Sequence, residues 1–411
     1  MPRTGRHGKG PVRPVLLVLA STYPRWADDP EPGFVHELCK RLTDRFRVIV
    51  VGPHAAGAKP REVMDGVEVR RYRYAPEALE TLVNDGGIVT NLRRQRWKWL
   101  LLPGFVLGML WAAWRCVASE RPDVAHAHWL LPQGLALAVL GLLDRRVPPF
   151  LVTSHGADLF ALRARPLQWL KRFVSRRAAA VTAVSAAMRD EMARIGIDAS
   201  RVEVQPMGVD LSHRYTPDPA VPRSRDEILF VGRLVEKKGL RYLIDAMPAI
   251  LQARPSAFLT VAGFGPEEAE RREQVARLGL QDKVQFLGAV PQEKLPALYR
   301  RAAVFVAPFV QASTGDREGL GLVSVEAAGC GCPVVVSDDP AARQVFAETE
   351  ATWVVPGDPG VLAQAICERL AIDACQVPVE AIMASVRSRF DWGKVAKGYA
   401  RTLDMARSTA Q

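Results

Sequence analysis

Two carboxylates flank a Gly-x-Gly sequence in the last quarter of the chain. Glu318 and Glu326 are eight residues apart, and the glycines follow the first carboxylate directly. A helix that begins after Gly321 would expose free N–H groups, which bind anions. Glu326 would then lie in the first turns of that helix, within reach of hydroxyl groups, and Glu318 in the preceding loop. A capping carboxylate plus a helix-surface glutamate is the alternative interpretation. The backbone amides available to a ligand are those of Gly319, Leu320, Gly321 and Leu322.

A second glycine-containing loop carries basic side chains. Arg233 and Lys238 follow Gly232 and an apolar run, and they precede a helical stretch. In doubly wound sheets ligands bind beyond the carboxyl ends of the strands. Arg can fork two phosphate oxygens and Lys supplies a point charge, so this loop is a candidate diphosphate site. A solvated basic pair is the alternative. Gly263 and Gly265 follow another apolar run, where a ligand contact and a tight turn fit equally well.

Three histidines lie near the ends of two apolar runs. His155 is followed by Gly156 and Asp158 in a loop that follows an apolar run, and this placement predicts a ligand contact. His126 and His128 flank the end of an apolar stretch, which favours structural roles. His155 is therefore the histidine assigned to chemistry.

Short apolar runs must position these loops, and they occur in two series separated by helical stretches. The series comprise residues 15–20, 48–51, 123–126, 150–153 and 181–184, then 228–231, 258–261, 284–286, 304–307 and 334–336. Fully apolar runs of this length indicate parallel sheets covered on both faces. Two series in 411 residues predict two doubly wound domains. The proline-rich, charged segment 213–226 has a composition typical of a linker between domains. The predicted parts are a disordered basic tail (1–14), two domains (15–215 and 216–389) and a terminal helix (390–411) that crosses back onto the first domain.

The quoted motifs, taken together, resemble those of glycosyltransferase family 4. The resemblance extends from residue 15 to residue 405 and implies the GT-B fold, in which two Rossmann-like domains face a cleft. It implies a nucleotide-sugar donor held mainly by the second domain. The segments that carry it are 121–128 (RPDVAHAH), 153–158 (TSHGAD), 184–185 (VS), 207–210 (MGVD), 232–239 (GRLVEKKG) and 318–326 (EGLGLVSVE).

The resemblance also implies a role for each matching residue. Arg233 and Lys238 would neutralise the donor diphosphate, Glu326 would hold the ribose, Glu318 would hold the sugar, and His155 would lie near the anomeric carbon. The expected reaction is retaining transfer of a hexose from a UDP- or GDP-linked sugar, without metal or cofactor. Its acceptor would be a glycan or lipid-linked glycan in cell-surface or exopolysaccharide biosynthesis. The glycines and leucines expected to contact the donor are Gly33, Gly232, Gly263, Gly265, Gly319, Leu320, Gly321 and Leu322.

Two other functions fit the same motifs. A sugar-nucleotide epimerase shares the fold, and a non-catalytic sugar-nucleotide or membrane-binding module would share the binding residues. Six cysteines without a CxxC pair indicate reduced thiols and a cytoplasmic location. The chain contains no recognised nucleic-acid motif, so nucleic acid is not an expected partner.

Positive charge is concentrated in the first half of the chain. Residues 1–220 hold 32 Lys and Arg against 21 Asp and Glu, whereas the remainder holds 23 of each. An anionic membrane beneath the first domain would suit this asymmetry, and an ordinary solvated basic surface is the alternative. The uncharged stretch 99–114 has 16 residues, fewer than the roughly 20 that span a bilayer. It predicts a buried or half-buried helix, or one that lies in the interface on the cytoplasmic face of the inner membrane. The adjacent basic residues are Arg93, Arg94, Arg96 and Lys98.

Overall fold

The computed structural model describes residues 13–27, 29, 33–84, 87–346, 349, 351–372 and 379–409. The predicted basic tail lies almost entirely outside the described residues, as does Cys375. Each domain is built on one sheet whose inner strands are apolar and buried. Leu16 to Leu19, for example, are completely buried because helices cover both faces of the sheet.

The first domain has eight strands and seven helices among the described residues. Its strands are β1 (Val15–Leu19), β2 (Arg47–Pro53), β3 (Arg61–Met64), β4 (Val67–Tyr72), β5 (Val124–His128), β6 (Phe150–Ser154), β7 (Ala180–Ala183) and β8 (Val202–Val204). Its helices are α1 (Phe34–Leu42), α2 (Ile88–Arg94), α3 (Leu102–Glu120), α4 (Leu135–Leu143), α5 (Ala157–Phe160), α6 (Arg165–Arg177) and α7 (Ala186–Arg194). The sheet order is β3-β4-β2-β1-β5-β6-β7-β8, and only the β3–β4 pair is antiparallel.

In the part of the second domain that the structure describes, six strands form a wholly parallel sheet with the order β11-β10-β9-β12-β13-β14. Its strands are β9 (Glu227–Val231), β10 (Phe258–Ala262), β11 (Val284–Gly288), β12 (Val304–Ala307), β13 (Val334–Ser337) and β14 (Thr352–Val354). Its helices are α8 (Leu240–Ala253), α9 (Glu268–Arg277), α10 (Leu295–Arg301), α11 (Leu322–Gly329), α12 (Pro340–Phe346), α13 (Pro359–Ala371) and α14 (Val379–Phe390). Every apolar run named above contributes to a strand, and the two doubly wound domains are confirmed.

The last helix, α15 (Trp392–Ser408), packs on α1, β5 and β6 of the first domain. The Tyr399 hydroxyl donates to the carbonyl of Gln205 at 3.0 Å, and the Thr402 hydroxyl donates to Glu203 at 3.1 Å. The ring of Tyr399 also stacks on His126 with centroids 5.7 Å apart. The first and last elements of the described chain, β1 and α15, therefore belong to the same domain.

Helix α3 is half-buried. One face, which includes Phe105 and Met109, packs in the core of the first domain. The contact is close, since a β-carbon at Gly104 would lie 2.3 Å from the Tyr74 carbonyl oxygen. The other face is exposed and apolar. By length and composition alone, Arg96–Glu120 is the one helical stretch of the described residues that could cross a bilayer, but its packed face belongs to the domain core.

Lys98 does not belong to the basic surface to which the sequence assigns it. The side chain is buried, and its ammonium donates to the Thr81 carbonyl at 2.8 Å and to Asn91 Oδ1 at 2.9 Å. A buried ammonium requires such partners. Lys98 therefore fastens the segment before α3 to the domain, while Arg93, Arg94 and Arg96 remain exposed.

Candidate active site

A cleft of about 700 Å³ lies between the two domains. Its walls include residues that follow β1, β5, β6 and β7 in the first domain and β9 and β10 in the second. The carboxyl ends of both sheets therefore meet at this cleft, which is the usual ligand position in doubly wound folds. The volume lies within the range of roughly 300–1,000 Å³ typical of small-molecule sites.

The loop after β9 forms one wall of the cleft. Gly232, Arg233 and Lys238 all line the cleft, as does Gly263 from the loop after β10. Gly263 has a φ of +145°, and a β-carbon there would lie 1.9 Å from the Gly232 carbonyl oxygen. Only glycine permits this approach of the two loops. Arg233 makes no ion pair with any described carboxylate, so its guanidinium is available to an anionic ligand.

Lys238 and Glu318 form an ion pair in the wall of the cleft, with Nζ and Oε2 3.0 Å apart. Burial raises the pKa of Glu318, but the charges of Lys238, Lys237 and Arg233 outweigh it and lower the pKa to about 2. Burial lowers the pKa of the Lys238 ammonium, and Glu318 opposes that shift. Glu318 is therefore an ionised hydrogen-bond acceptor at neutral pH.

Lys237 holds the loop that carries Glu318, a role that the sequence analysis missed. Its ammonium donates to the Arg317 carbonyl at 3.0 Å and lies 3.2 Å from Asp316 Oδ2. These partners are about eighty residues away along the chain, so local sequence gave no sign of them. The two adjacent lysines thus have different roles. Lys237 anchors the loop that carries Glu318, and Lys238 forms an ion pair with the Glu318 carboxylate.

Glu326 lines the cleft from the second turn of α11. The Tyr299 hydroxyl, on α10, donates to its Oε2 at 2.9 Å. Burial raises the pKa of Glu326 to about 7, although that hydrogen bond opposes the shift. Near neutral pH the carboxyl is therefore poised between its two forms, and a ligand with hydroxyl donors would favour the ionised one. Tyr299 is a second residue that only the folded structure reveals.

His155 reaches the cleft from the loop after β6. Its Nε2 shares a hydrogen bond with His128 Nδ1 at 2.9 Å, and the two rings stack. The rings of Phe34 and Trp129 each lie 5.0 Å from it, centroid to centroid. Burial lowers the pKa of His155 to about 3, so the imidazole is neutral at pH 7. His128 thus fixes the ring and leaves His155 Nδ1 for a ligand.

Most of the predicted site residues line this one cleft. From the first domain these are Gly33, at the N-terminus of α1, and His155; from the second they are Gly232, Arg233, Lys238, Gly263, Glu318, Leu320, Gly321, Leu322 and Glu326.

Gly265 and Gly319 are not among the residues that line the cleft, and their contact with the donor stays a prediction. A β-carbon at Gly265 would lie 2.5 Å from the Leu234 carbonyl oxygen, so this glycine packs one loop of the second domain on another. Gly319 instead faces the first domain beside His155. Both glycines allow close backbone contacts between loops.

Comparisons with known proteins agree with this geometry. The family model for Glycosyltransferase Family 4 matches residues 34–213, and that for Glycosyl transferases group 1 matches residues 214–374. A phosphatidyl-myo-inositol mannosyltransferase of Mycobacterium leprae is 33% identical over 69% of this chain and 73% of its own length. A D-inositol 3-phosphate glycosyltransferase of Frankia alni is 30% identical over 92% of this chain and 94% of its own. The crystal structure of Anabaena HepE with UDP and glucose superposes with a TM-score of 0.70, at 19% identity, over 95% of this chain and all of that one.

Two parallel-sheet domains around a charged cleft, with these relatives, define a GT-B glycosyltransferase. The chain belongs to glycosyltransferase family 4. Among the described residues no group of three or more His, Cys, Asp or Glu side chains has the arrangement of a metal site.

Proposed function

We propose that this enzyme is a retaining hexosyltransferase that moves a hexose from a UDP- or GDP-linked donor to a glycan or lipid-linked glycan. The observation that carries the proposal is the convergence of Arg233, the Lys238–Glu318 pair, Glu326 and His155 on one cleft. Relatives that act on phosphatidylinositol or inositol phosphate, and a neighbour solved with UDP and glucose, support a nucleotide-sugar donor. The expected pathway is assembly of cell-surface polysaccharide or glycolipid.

Charge separation during the reaction explains the role of Arg233 and Lys238 in the wall of the cleft. When the glycosidic bond to the phosphate breaks, the sugar becomes positive and the departing diphosphate becomes more negative. Arg233 and Lys238 lie in the wall of the cleft beside the expected phosphate position, and cations already in place there stabilise the transition state more than the ground state. This arrangement supplies the charge that a divalent ion supplies in other transferases, so we propose a metal-independent reaction.

Hydrogen-bonding side chains from the two domains complete the site. Glu326 accepts from the ribose hydroxyls, and Glu318 accepts from hydroxyls of the donor sugar. A neutral His155 donates or accepts at Nδ1 beside the anomeric carbon without adding positive charge to an already cationic transition state. Retention of the anomeric configuration follows from the family resemblance and is tested by the product.

We further propose that the first domain docks on an anionic membrane from the cytoplasmic side. Leu100 and Leu107, 81% and 65% exposed, and Trp111, 59% exposed, form an apolar face beside basic α2. Basic residues attract such a surface, and inserted Trp and Leu side chains make the attachment resistant to salt. Docking would bring the cleft to a lipid-linked acceptor.

The test is a donor screen with the purified protein. UDP-glucose, UDP-galactose and GDP-mannose are each incubated with and without lipid-linked and soluble glycan acceptors, and nucleotide release and product configuration are measured. Acceptor-dependent release with an unchanged anomeric configuration supports the proposal. Conversion of the donor without an acceptor would identify an epimerase instead, and an inverted product would overturn retention.

A further inference from the structure

The cleft does not end at the donor residues. It extends into the first domain along α2, α3, α4 and α6, and we call this extension the apolar arm. It is lined by residues between 83 and 106, between 129 and 135, and between 161 and 170. Helix α2 contributes Ile88 and Leu92, α3 contributes Phe105, and α4 and α6 contribute Leu135 and Leu167. The arm therefore joins the donor site as one continuous cavity.

The composition of the apolar arm is unlike that of a sugar-binding site. Among its described lining residues, Arg93 carries the only charge and Thr90 the only hydroxyl. A sugar held there would leave most of its hydroxyl groups without hydrogen bonds, which is unfavourable in a buried site. Methylene groups have no hydrogen bonds to lose when they are buried in the arm, and their transfer out of water is favourable.

The arm opens onto the exposed apolar face that we assign to the membrane. Trp99 and Val106 line the arm, yet 58% of Trp99 and 36% of Val106 is exposed. Leu100 and Leu107 follow them directly in sequence and are exposed still further. An apolar chain can thus pass from a bilayer into the cleft along apolar side chains.

We infer that the apolar arm binds the hydrocarbon chain of an amphiphilic acceptor, whose polar head reaches His155 and the donor sugar. This inference rests on the proposed transfer reaction and names the class of its acceptor as lipid-linked rather than soluble. Arg93 is the charge that an anionic link between chain and head would meet.

The test measures binding separately from transfer. A series of n-alkyl phosphates from four to ten carbons, with bromine at the chain end, is titrated below micelle-forming concentration while tryptophan fluorescence is recorded. Trp99 and Trp129 line the arm, so bromine that enters it quenches them. We expect affinity to rise about fourfold per added methylene and Trp99→Phe to remove part of the quenching. Equal affinity along the series would overturn the inference.

Two matched variants locate the bound chain. Leu167→Gln places an amide in the arm and is expected to weaken binding of the octyl compound about tenfold. Leu143→Gln changes a leucine that is 79% exposed at the end of α4, outside the arm, and should leave binding unchanged. Equal effects of the two substitutions would mean that the chain binds elsewhere on the surface.

Transfer assays separate this inference from the proposed function. Equal kcat/KM for acceptors with the same head and either no chain or a long chain would overturn the role of the arm and leave the transfer reaction intact. Chain-length-dependent binding without transfer from any donor would support the arm and contradict the proposed function.

Discussion

Gly319 of the second domain lies directly against His155 of the first. A β-carbon added at Gly319 would be 2.7 Å from the His155 carbonyl oxygen, and one added at Gly156 would be 3.4 Å from Gly319 Cα. The loop that carries the cleft histidine and the loop that carries Glu318 therefore touch, backbone to backbone. This contact sets the distance between the parts of the site that the two domains supply.

The first prediction is that Gly319→Ala separates these loops. A shift of about 1 Å in a catalytic site costs up to roughly 100-fold in rate, and we expect kcat/KM to fall between tenfold and 100-fold while the protein stays folded. Gly141→Ala, in α4 with neighbours no closer than 3.9 Å, is the control. Steady-state kinetics and thermal denaturation measure both variants. Wild-type kcat/KM in Gly319→Ala would show that the contact is not needed in the reacting state.

The second prediction concerns Glu326 and the donor. A hydrogen bond to a charged group contributes roughly 1.5–3 kcal/mol, so Glu326→Ala should raise the donor dissociation constant about 10- to 100-fold. Because burial raises the pKa of this carboxyl to about 7, donor affinity of the wild type should also fall as the pH drops below 7. Calorimetric titration between pH 5.5 and 8.5 measures both effects. Glu368→Ala, on α13, is the control, and unchanged affinity in Glu326→Ala would disprove the assignment.

The third prediction concerns the effect of the Glu326 carboxyl on the stability of the ligand-free protein. A carboxyl whose pKa rises from 4.5 to about 7 on folding holds its proton in the native state and releases it on unfolding over that window. Its contribution to the free energy of unfolding therefore falls as the pH rises from about 4.5 to 7, by at most about 3 kcal/mol. Glu326→Gln removes this loss, so its melting temperature relative to wild type should rise between pH 5 and pH 8. A difference that does not change with pH would contradict the shifted pKa.

The fourth prediction is that chelators do not stop the reaction. With EDTA present, turnover should match that in magnesium or manganese, whereas Arg233→Ala should lower kcat about 10- to 100-fold by removing charged hydrogen bonds to the leaving diphosphate. Arg277→Ala, on the surface of α9, serves as the control. Loss of turnover in EDTA and its recovery with magnesium would contradict the proposal that Arg233 and Lys238 take the place of a divalent ion.

The fifth prediction concerns membrane docking. Each basic residue near an anionic surface contributes about 1 kcal/mol, so changing Arg93, Arg94 and Arg96 together to Ser should weaken binding to anionic liposomes up to about 100-fold at low salt. Lys98 is left intact because it is buried.

The matched control for docking replaces exposed Arg241, Arg272 and Arg277 of the second domain by Ser, which should leave sedimentation with liposomes unchanged. Binding that disappears at high salt in the wild type would argue against insertion of the Trp and Leu side chains, since only the electrostatic part is screened. A full chain that fails to sediment with anionic liposomes at low salt would end the membrane proposal.

The sequence predicted the inner strands because they are apolar throughout, and it missed strands whose polar groups are satisfied by distant partners. β4 was missed because Glu68 and Arg70 interrupt its apolar pattern. In the folded sheet Arg47 donates to Glu68 at 2.7 Å and Arg70 donates to Glu120 at 2.8 Å. Such ion pairs join residues 21 and 50 positions apart, and no local pattern reveals them.

The residues of the candidate site also fall into those that local sequence predicts and those that it does not. Charged residues in glycine-containing loops were found because strand–loop–helix order places them at the cleft. Lys237, Tyr299 and His128 were not assigned to the site, since each acts through a partner brought close only by folding. Gly265 shows that a glycine pattern typical of ligand contact also serves packing, since a β-carbon there would lie 2.5 Å from the Leu234 carbonyl oxygen.

The return of α15 to the first domain has a mechanical consequence. The chain crosses between the domains twice, and the crossings are paired, since Val209 N–H donates to Phe390 at 2.8 Å and Trp392 N–H donates to Val209 at 3.2 Å. A single tether would let one domain swing about any axis. Two tethers that are hydrogen-bonded to each other at Val209 place the pivot between the domains there, so we expect any opening of the cleft to move Glu318 and His155 apart about that point.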